Sequence, residues 1–183
     1  MSGVMDELQS AVIVPIAVPA AVERVRRTHV SVAAAGVPPH LTLLSPFVPA
    51  AALDHGVQAR LARGLSAFEA FDARFEAVRR FSDALYLAPE PAAPFRDLIV
   101  AVCSLFPGLP PYGEASYHPE DVVPHLAIAI GDGAKFDDLE AEAARSLPFA
   151  RRIDEVLVIA ERPGGRWRTR WRFNLERDPL GRS

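Results

Sequence analysis

The chain repeats itself. Val37-Pro38-Pro39-His40-Leu41-Thr42 returns 85 residues later as Val122-Val123-Pro124-His125-Leu126-Ala127. In both copies a proline precedes a histidine, an apolar run carries it, and a helical pattern follows. The second half of the chain echoes the first. A proline at the start of a strand is structurally cheap, because no ladder hydrogen bond is lost there. Within "HLTLL" the side chains alternate with period 2, so His40 and Thr42 share one face while Leu41 and Leu43 take the other.

The rest of the chain surrounds this pair with alternating elements. "AVIVPIAV" (11–18) reads as a strand, and Pro19 opens a helix on which Val22, Val25 and His29 share a face. "AAAGVPP" is the loop before the first motif. A helix is expected over 52–68, with Leu53, Val57, Leu61 and Leu65 four residues apart. "FDARFEAVRRFSDALYLAP" (71–89) reads as one or two strands, and a helix over 92–105 leads into the turn-rich "FPGLPPYGEASYHPED". After the second motif, "KFDDLEAEAARSL" is a short amphipathic helix. "IDEVLVIAERPGGRWRTRWRFNLE" is a hairpin turning near Gly164-Gly165. This mixed order predicts one domain over 1–183, of α+β or α/β class.

Composition narrows the setting. With 183 residues, half of them hydrophobic, the chain holds ample material for a core. The single Cys103, in "LIVAVCSLF", forms no internal disulfide, which fits a reduced, cytoplasmic home. "MSGVMDELQS" places Asp6 and Glu7 where a signal peptide carries Lys or Arg. The apolar stretch 11–22 is 12 residues long and contains Pro15 and Pro19, too short and too broken for a bilayer. The net charge of −3 conceals an asymmetry: residues 1–150 hold 11 basic and 18 acidic side chains, while 151–172 hold 7 arginines against 3 acids. A local basic strip can receive an anion whatever the net charge.

Two strand histidines facing each other across a groove suit acid–base chemistry on a phosphate ester. One neutral imidazole takes a proton from the attacking hydroxyl or water, and one imidazolium protonates the leaving oxygen. A hydroxyl two residues along, Thr42, points into the same groove and can hold a phosphoryl oxygen. Neither a metal nor a covalent intermediate is required.

His40-Leu41-Thr42 and His125-Leu126-Ala127 resemble the paired signature of the two-histidine phosphoesterase superfamily, in its RNA 2′-5′ ligase and cyclic phosphodiesterase branch. That signature is histidine, any residue, then Thr or Ser, occurring twice. The first copy fits fully, and the second departs at Ala127. "ALYLAPEP", the helix after it and "FPGLPPYG" extend the resemblance over most of 11–175. It implies a bilobed, pseudo-twofold α+β fold, with two antiparallel-rich sheets around a central groove, the motifs on central strands, and helices outside. It also implies a 2′,3′-cyclic phosphate or 2′-5′ linkage on RNA ends or nucleotides as substrate, opened or in reverse ligated without ATP, metal or other cofactor. His40 and His125 carry the acid and base roles in this reading, and Thr42 and position 127 hold the phosphate. A monomer with no membrane association is expected. The competing reading is a nucleotide- or RNA-end-binding protein with little turnover, favoured by the missing hydroxyl at Ala127.

A lone histidine on an apolar strand is usually a packed core residue, and the repeat is what lifts His40 and His125 above that. His29 and His55 read as surface residues, while His118, in the loop before the second motif, could approach the groove. Tyr86 either stacks on a base or simply packs. Arg166, Arg168, Arg170 and Arg172 alternate with Trp167, Thr169 and Trp171, which predicts four guanidinium groups on one face, either a phosphate-attracting wall or a solvated sheet face. Gly131-Asp132-Gly133 lacks the third glycine of a dinucleotide loop, "GLSAF" lacks the second glycine of a nucleophile elbow, and no His-x-x-x-His or Cys-x-x-Cys pair offers metal ligands.

Overall fold

A computed structural model describes residues 8–113, 118–131 and 136–175. Parts of the turn-rich loop and of the glycine stretch after the second motif lie outside them. The elements run β1 (Ser10–Pro15), α1 (Ala20–His29), α2 (Ser31–Ala34), β2 (His40–Leu44), α3 (His55–Leu65), β3 (Phe71–Arg80), β4 (Ala84–Glu90), α4 (Ala93–Leu105), β5 (Leu126–Ile130), α5 (Phe136–Ala144), β6 (Phe149–Ile153), β7 (Glu155–Arg162) and β8 (Arg166–Asn174). The helix expected over 52–68 is shorter. Asp54 caps it, its side chain accepting from Val57 N at 2.9 Å, and residues 50–52 form a separate 3-10 turn. Strand β6 has no counterpart in the sequence reading, because five residues at a sheet edge carry too little periodicity to announce themselves.

Among the described residues the strands form two four-stranded sheets, ordered β2-β1-β7-β8 and β5-β4-β3-β6, antiparallel throughout. The repeat is visible in them: β1-α1-β2-α3 and β4-α4-β5-α5 follow the same order, and each motif strand pairs with the first strand of its own half. The class is α+β, bilobed and pseudo-twofold. Each motif strand ends its own sheet's hydrogen-bonded order rather than lying inside it, and the two come into contact with each other at the middle of the molecule.

The helices tie the halves together crosswise. Helix α1, which follows β1, packs on β5 of the other sheet, and α4, which follows β4, packs on β2. One hydrophobic core therefore runs through both halves, joining Val12, Leu41 and Val158 to Leu85, Leu126 and Ile128. A smaller cluster of Ala11, Ile13, Val37, Leu157 and Ile159 covers the other face of the first sheet, with Trp167 packed against it. Among the described residues no helix is long and apolar enough to cross a membrane.

Candidate active site

Proline shapes both histidine sites. It fixes φ in Pro39 and Pro124 and keeps the residue before each extended, which swings the carbonyl two residues before the histidine back towards the ring. His40 Nδ1 lies 2.8 Å from Pro38 O, and His125 Nδ1 lies 2.8 Å from Val123 O. A carbonyl only accepts, so each Nδ1 carries the proton and donates it. Each Nε2 is left with its lone pair. The two imidazoles therefore share one tautomer, set by the same local bond.

Electrostatics favours the neutral ring at both sites. Burial pushes His40 down to about 4, the Pro38 carbonyl opposes that shift, and the charges of Arg26 and His125 push it lower. Burial also lowers His125, against the pull of Val123 O. His40 and His125 are thus close enough to act on one another, through the contact of β2 with β5. Both rings thus lie below the ordinary imidazole value near 6.5 in the free protein.

The neighbours divide less symmetrically. Thr42 stands opposite Ile13 in the β1–β2 ladder, half-buried on the His40 face. Ala127 stands opposite Tyr86 and lines an open cavity of about 560 Å³ together with His125, Phe81, Asp83, Tyr112 and Ile130. His40 and Thr42 lie outside that lining, so the cavity belongs to the His125 side. Tyr86 faces the site but offers no free ring face. It is 7% exposed, stacked on Phe81 at 4.1 Å, and edge-on to His125 at 5.7 Å. Tyr112, 36% exposed and stacked on His125 at 5.8 Å, lines the cavity with Phe81, and the sequence reading passed over it inside a turn-rich loop. His118 is exposed at the start of a short 3-10 turn and lies outside the cavity lining.

The four arginines of β8 do not share a face. A bulge sets Val158 opposite Trp171 and Ile159 opposite Thr169, leaving Arg170 over and reversing the alternation. Trp171 and Phe173 pack on the main core, whereas Trp167 packs on the smaller cluster. Arg172, opposite Leu157, pairs with Glu155, while Arg168 stands opposite Ala160 on the other side of the strand. The shared face predicted for the arginines is split by one extra residue.

A second residue missed from sequence is Arg26. Its place on an amphipathic helix suggests a surface charge, yet it is 1% exposed. Its Nη2 donates to Val37 O at 3.0 Å and to Pro38 O at 2.9 Å, the carbonyl that also holds His40. Nothing local reveals this, because the acceptors lie 11 and 12 residues away.

Residues 14–165 match the family model described as the 2′-5′ RNA ligase superfamily. No curated protein matches the chain significantly. Among solved structures, E. coli LigT in apo form aligns with a TM-score of 0.54 at 16% identity, covering 94% of this chain and 100% of that one. TT0787 of Thermus thermophilus aligns at 0.53 and 17%, covering 93% and 99%. A structure titled as a phosphoesterase aligns at 0.53 and 16%, covering 94% and 100%. At these identities the likeness is one of fold.

Proposed function

Since this chain belongs to the 2′-5′ RNA ligase superfamily, we propose that it opens 2′,3′-cyclic phosphates on RNA ends or nucleotides, with water or, in ligation, with a ribose hydroxyl, by acid–base catalysis through His40 and His125. The observation that carries this reading is the matched tautomer: two imidazoles, each anchored at Nδ1 by a carbonyl, each presenting Nε2 from contacting strands. In the hydrolytic direction a water oxygen attacks phosphorus and loses its proton to one Nε2. The bond from phosphorus to a ribose oxygen breaks, and that oxygen takes a proton from the other imidazolium. Thr42 holds a phosphoryl oxygen. The chemistry calls on neither ATP nor a metal. E. coli LigT has been solved with phosphate, 3′-AMP and ATP, which supports a nucleotide-sized ligand for this fold. A cytoplasmic setting, where RNA ends occur and Cys103 stays reduced, suits the reading.

The second reading is a binding protein with little turnover. It is favoured by Ala127, which leaves one phosphate hydroxyl out of the pair. One experiment separates the two: purified protein in EDTA, offered 2′,3′-cyclic nucleotides, cyclic-phosphate RNA and 2′-5′ oligonucleotides. Product formed in EDTA supports the enzyme, binding without product supports the alternative, and turnover that EDTA abolishes overturns the mechanism.

A further inference from the structure

The two histidines are alike in tautomer and unlike in what stands behind them. Pro38 O accepts from His40 Nδ1 and from Arg26 Nη2, so both of its lone pairs are engaged, one by a charged donor. Arg26 is 1% exposed, and its Nη1 faces Glu23 Oε2 at 3.7 Å, both atoms buried and without a hydrogen bond. In the second half the counterpart helix α4 buries Phe95, Leu98, Ile99, Val102 and Cys103, all uncharged. We propose that Arg26 is a positioning residue that makes the two histidines unequal, holding His40 as the neutral proton acceptor and leaving His125 as the proton donor.

The charges around His40 agree with this. Helix α1 brings Arg26, on which Glu23 and Arg27 of the same helix act, and His125 faces His40 from the head of β5. Strand β1 sets Pro15 opposite His40, α4 directs the Cys103 thiol to Leu43 O, and Tyr112 lies in the turn against β2. A fixed cation disfavours a second positive charge beside it, and a carbonyl already polarised by guanidinium is a poorer acceptor for an imidazolium. In hydrolysis, water therefore gives its proton to His40 Nε2 as oxygen bonds to phosphorus. The bond to the leaving ribose oxygen breaks with a proton from His125 Nε2, and solvent exchange resets both rings. A ribose hydroxyl that ligates in place of water keeps these roles, and only cleavage of the new linkage back to the cyclic phosphate reverses them.

This inference rests on the proposed reaction for its consequence, but its test does not. Imidazole NMR titration of the ligand-free protein reads each ring directly. We expect His40 to keep its Nδ1–H neutral form to lower pH than His125. In Arg26→Met the His40 midpoint should rise by about one pH unit, while Arg26→Lys, which keeps the charge, should shift it less. In an active preparation the acidic limb of kcat/KM should move upward with the His40 midpoint in Arg26→Met, a change that a merely structural defect does not produce. His125 titrating below His40 in the natural protein, or an unmoved His40 in a folded Arg26→Met, overturns the proposal. Should Arg26→Met fail to fold, the order of the two wild-type midpoints and the Arg26→Lys shift decide. Absence of turnover on every phosphate ester with that order intact defeats the proposed function and leaves the inequality standing.

Discussion

At the scale of single residues, the proposed function turns on two ring nitrogens and two positions beside them. His40→Ala and His125→Ala should each lower turnover by roughly 10²–10⁴, the usual contribution of a positioned acid or base. The double variant should lose far less than the product of the two, because one proton relay serves both steps. Steady-state kinetics of the three proteins check this, and a single variant with near-full turnover removes the assignment. Ala127 is the informative departure from the paired motif. It borders the open cavity, so the extra atoms of a threonine enter free space, and threonine suits a strand. A hydrogen bond to a charged oxygen is worth about 1.5–3 kcal/mol, which corresponds to roughly 10–150-fold if it acts only in the transition state. Ala127→Thr should therefore accelerate the enzyme with little change in stability, while Thr42→Ala should be the more damaging change. If neither substitution alters kcat/KM, neither position holds phosphate.

At the scale of elements, the loop from α2 to β2 does more than connect. It carries the carbonyls of Val37 and Pro38 that hold Arg26 and His40, and it is pinned to β8 by Trp167 N donating to Ala35 O at 2.9 Å. Gly36 permits both, at φ +98°, where a Cβ would stand 3.3 Å from Trp167 O. Gly36→Ala should cost about 1–3 kcal/mol, the usual strain of an L residue held in such a region. The urea midpoint should fall accordingly, and an unchanged midpoint shows that the loop yields without strain. The β8 bulge works at the same scale, since one unpaired residue decides which tryptophan enters which cluster.

At the scale of the whole molecule, the crosswise packing of α1 and α4 places the motif strands deep between halves, and burial then couples the site to stability. The unfolded chain protonates His40 near 6.5, whereas the folded protein does so only near 4. Between those values the unfolded state holds more protons, so stability is lost as pH falls through that window and is fully present above it. His40 alone accounts for up to about 3 kcal/mol of this loss. His40→Gln removes the titration, so the gap between its denaturation midpoints at pH 7 and pH 4 should be smaller than that of the natural protein. Equal gaps show that the half-buried ring exchanges its proton with little penalty.

The sequence alone determined what is local or repeated. The Pro-His-Leu repeat foretold two halves, period 2 put His40 with Thr42 and His125 with Ala127, and apolar spacing marked the four longer helices. These are properties of neighbours in the chain, and the backbone dictates them. What only the tertiary structure decided involves partners distant in sequence. Arg26 became a buried charge because carbonyls 11 and 12 residues on came to meet it. Tyr86 closed against Phe81, while Tyr112 was left beside the cavity. A single bulge divided arginines that strict alternation had aligned. Periodicity fixes the direction of a side chain within its own element; the charge, exposure and tautomer it acquires there come from whatever the fold packs against it.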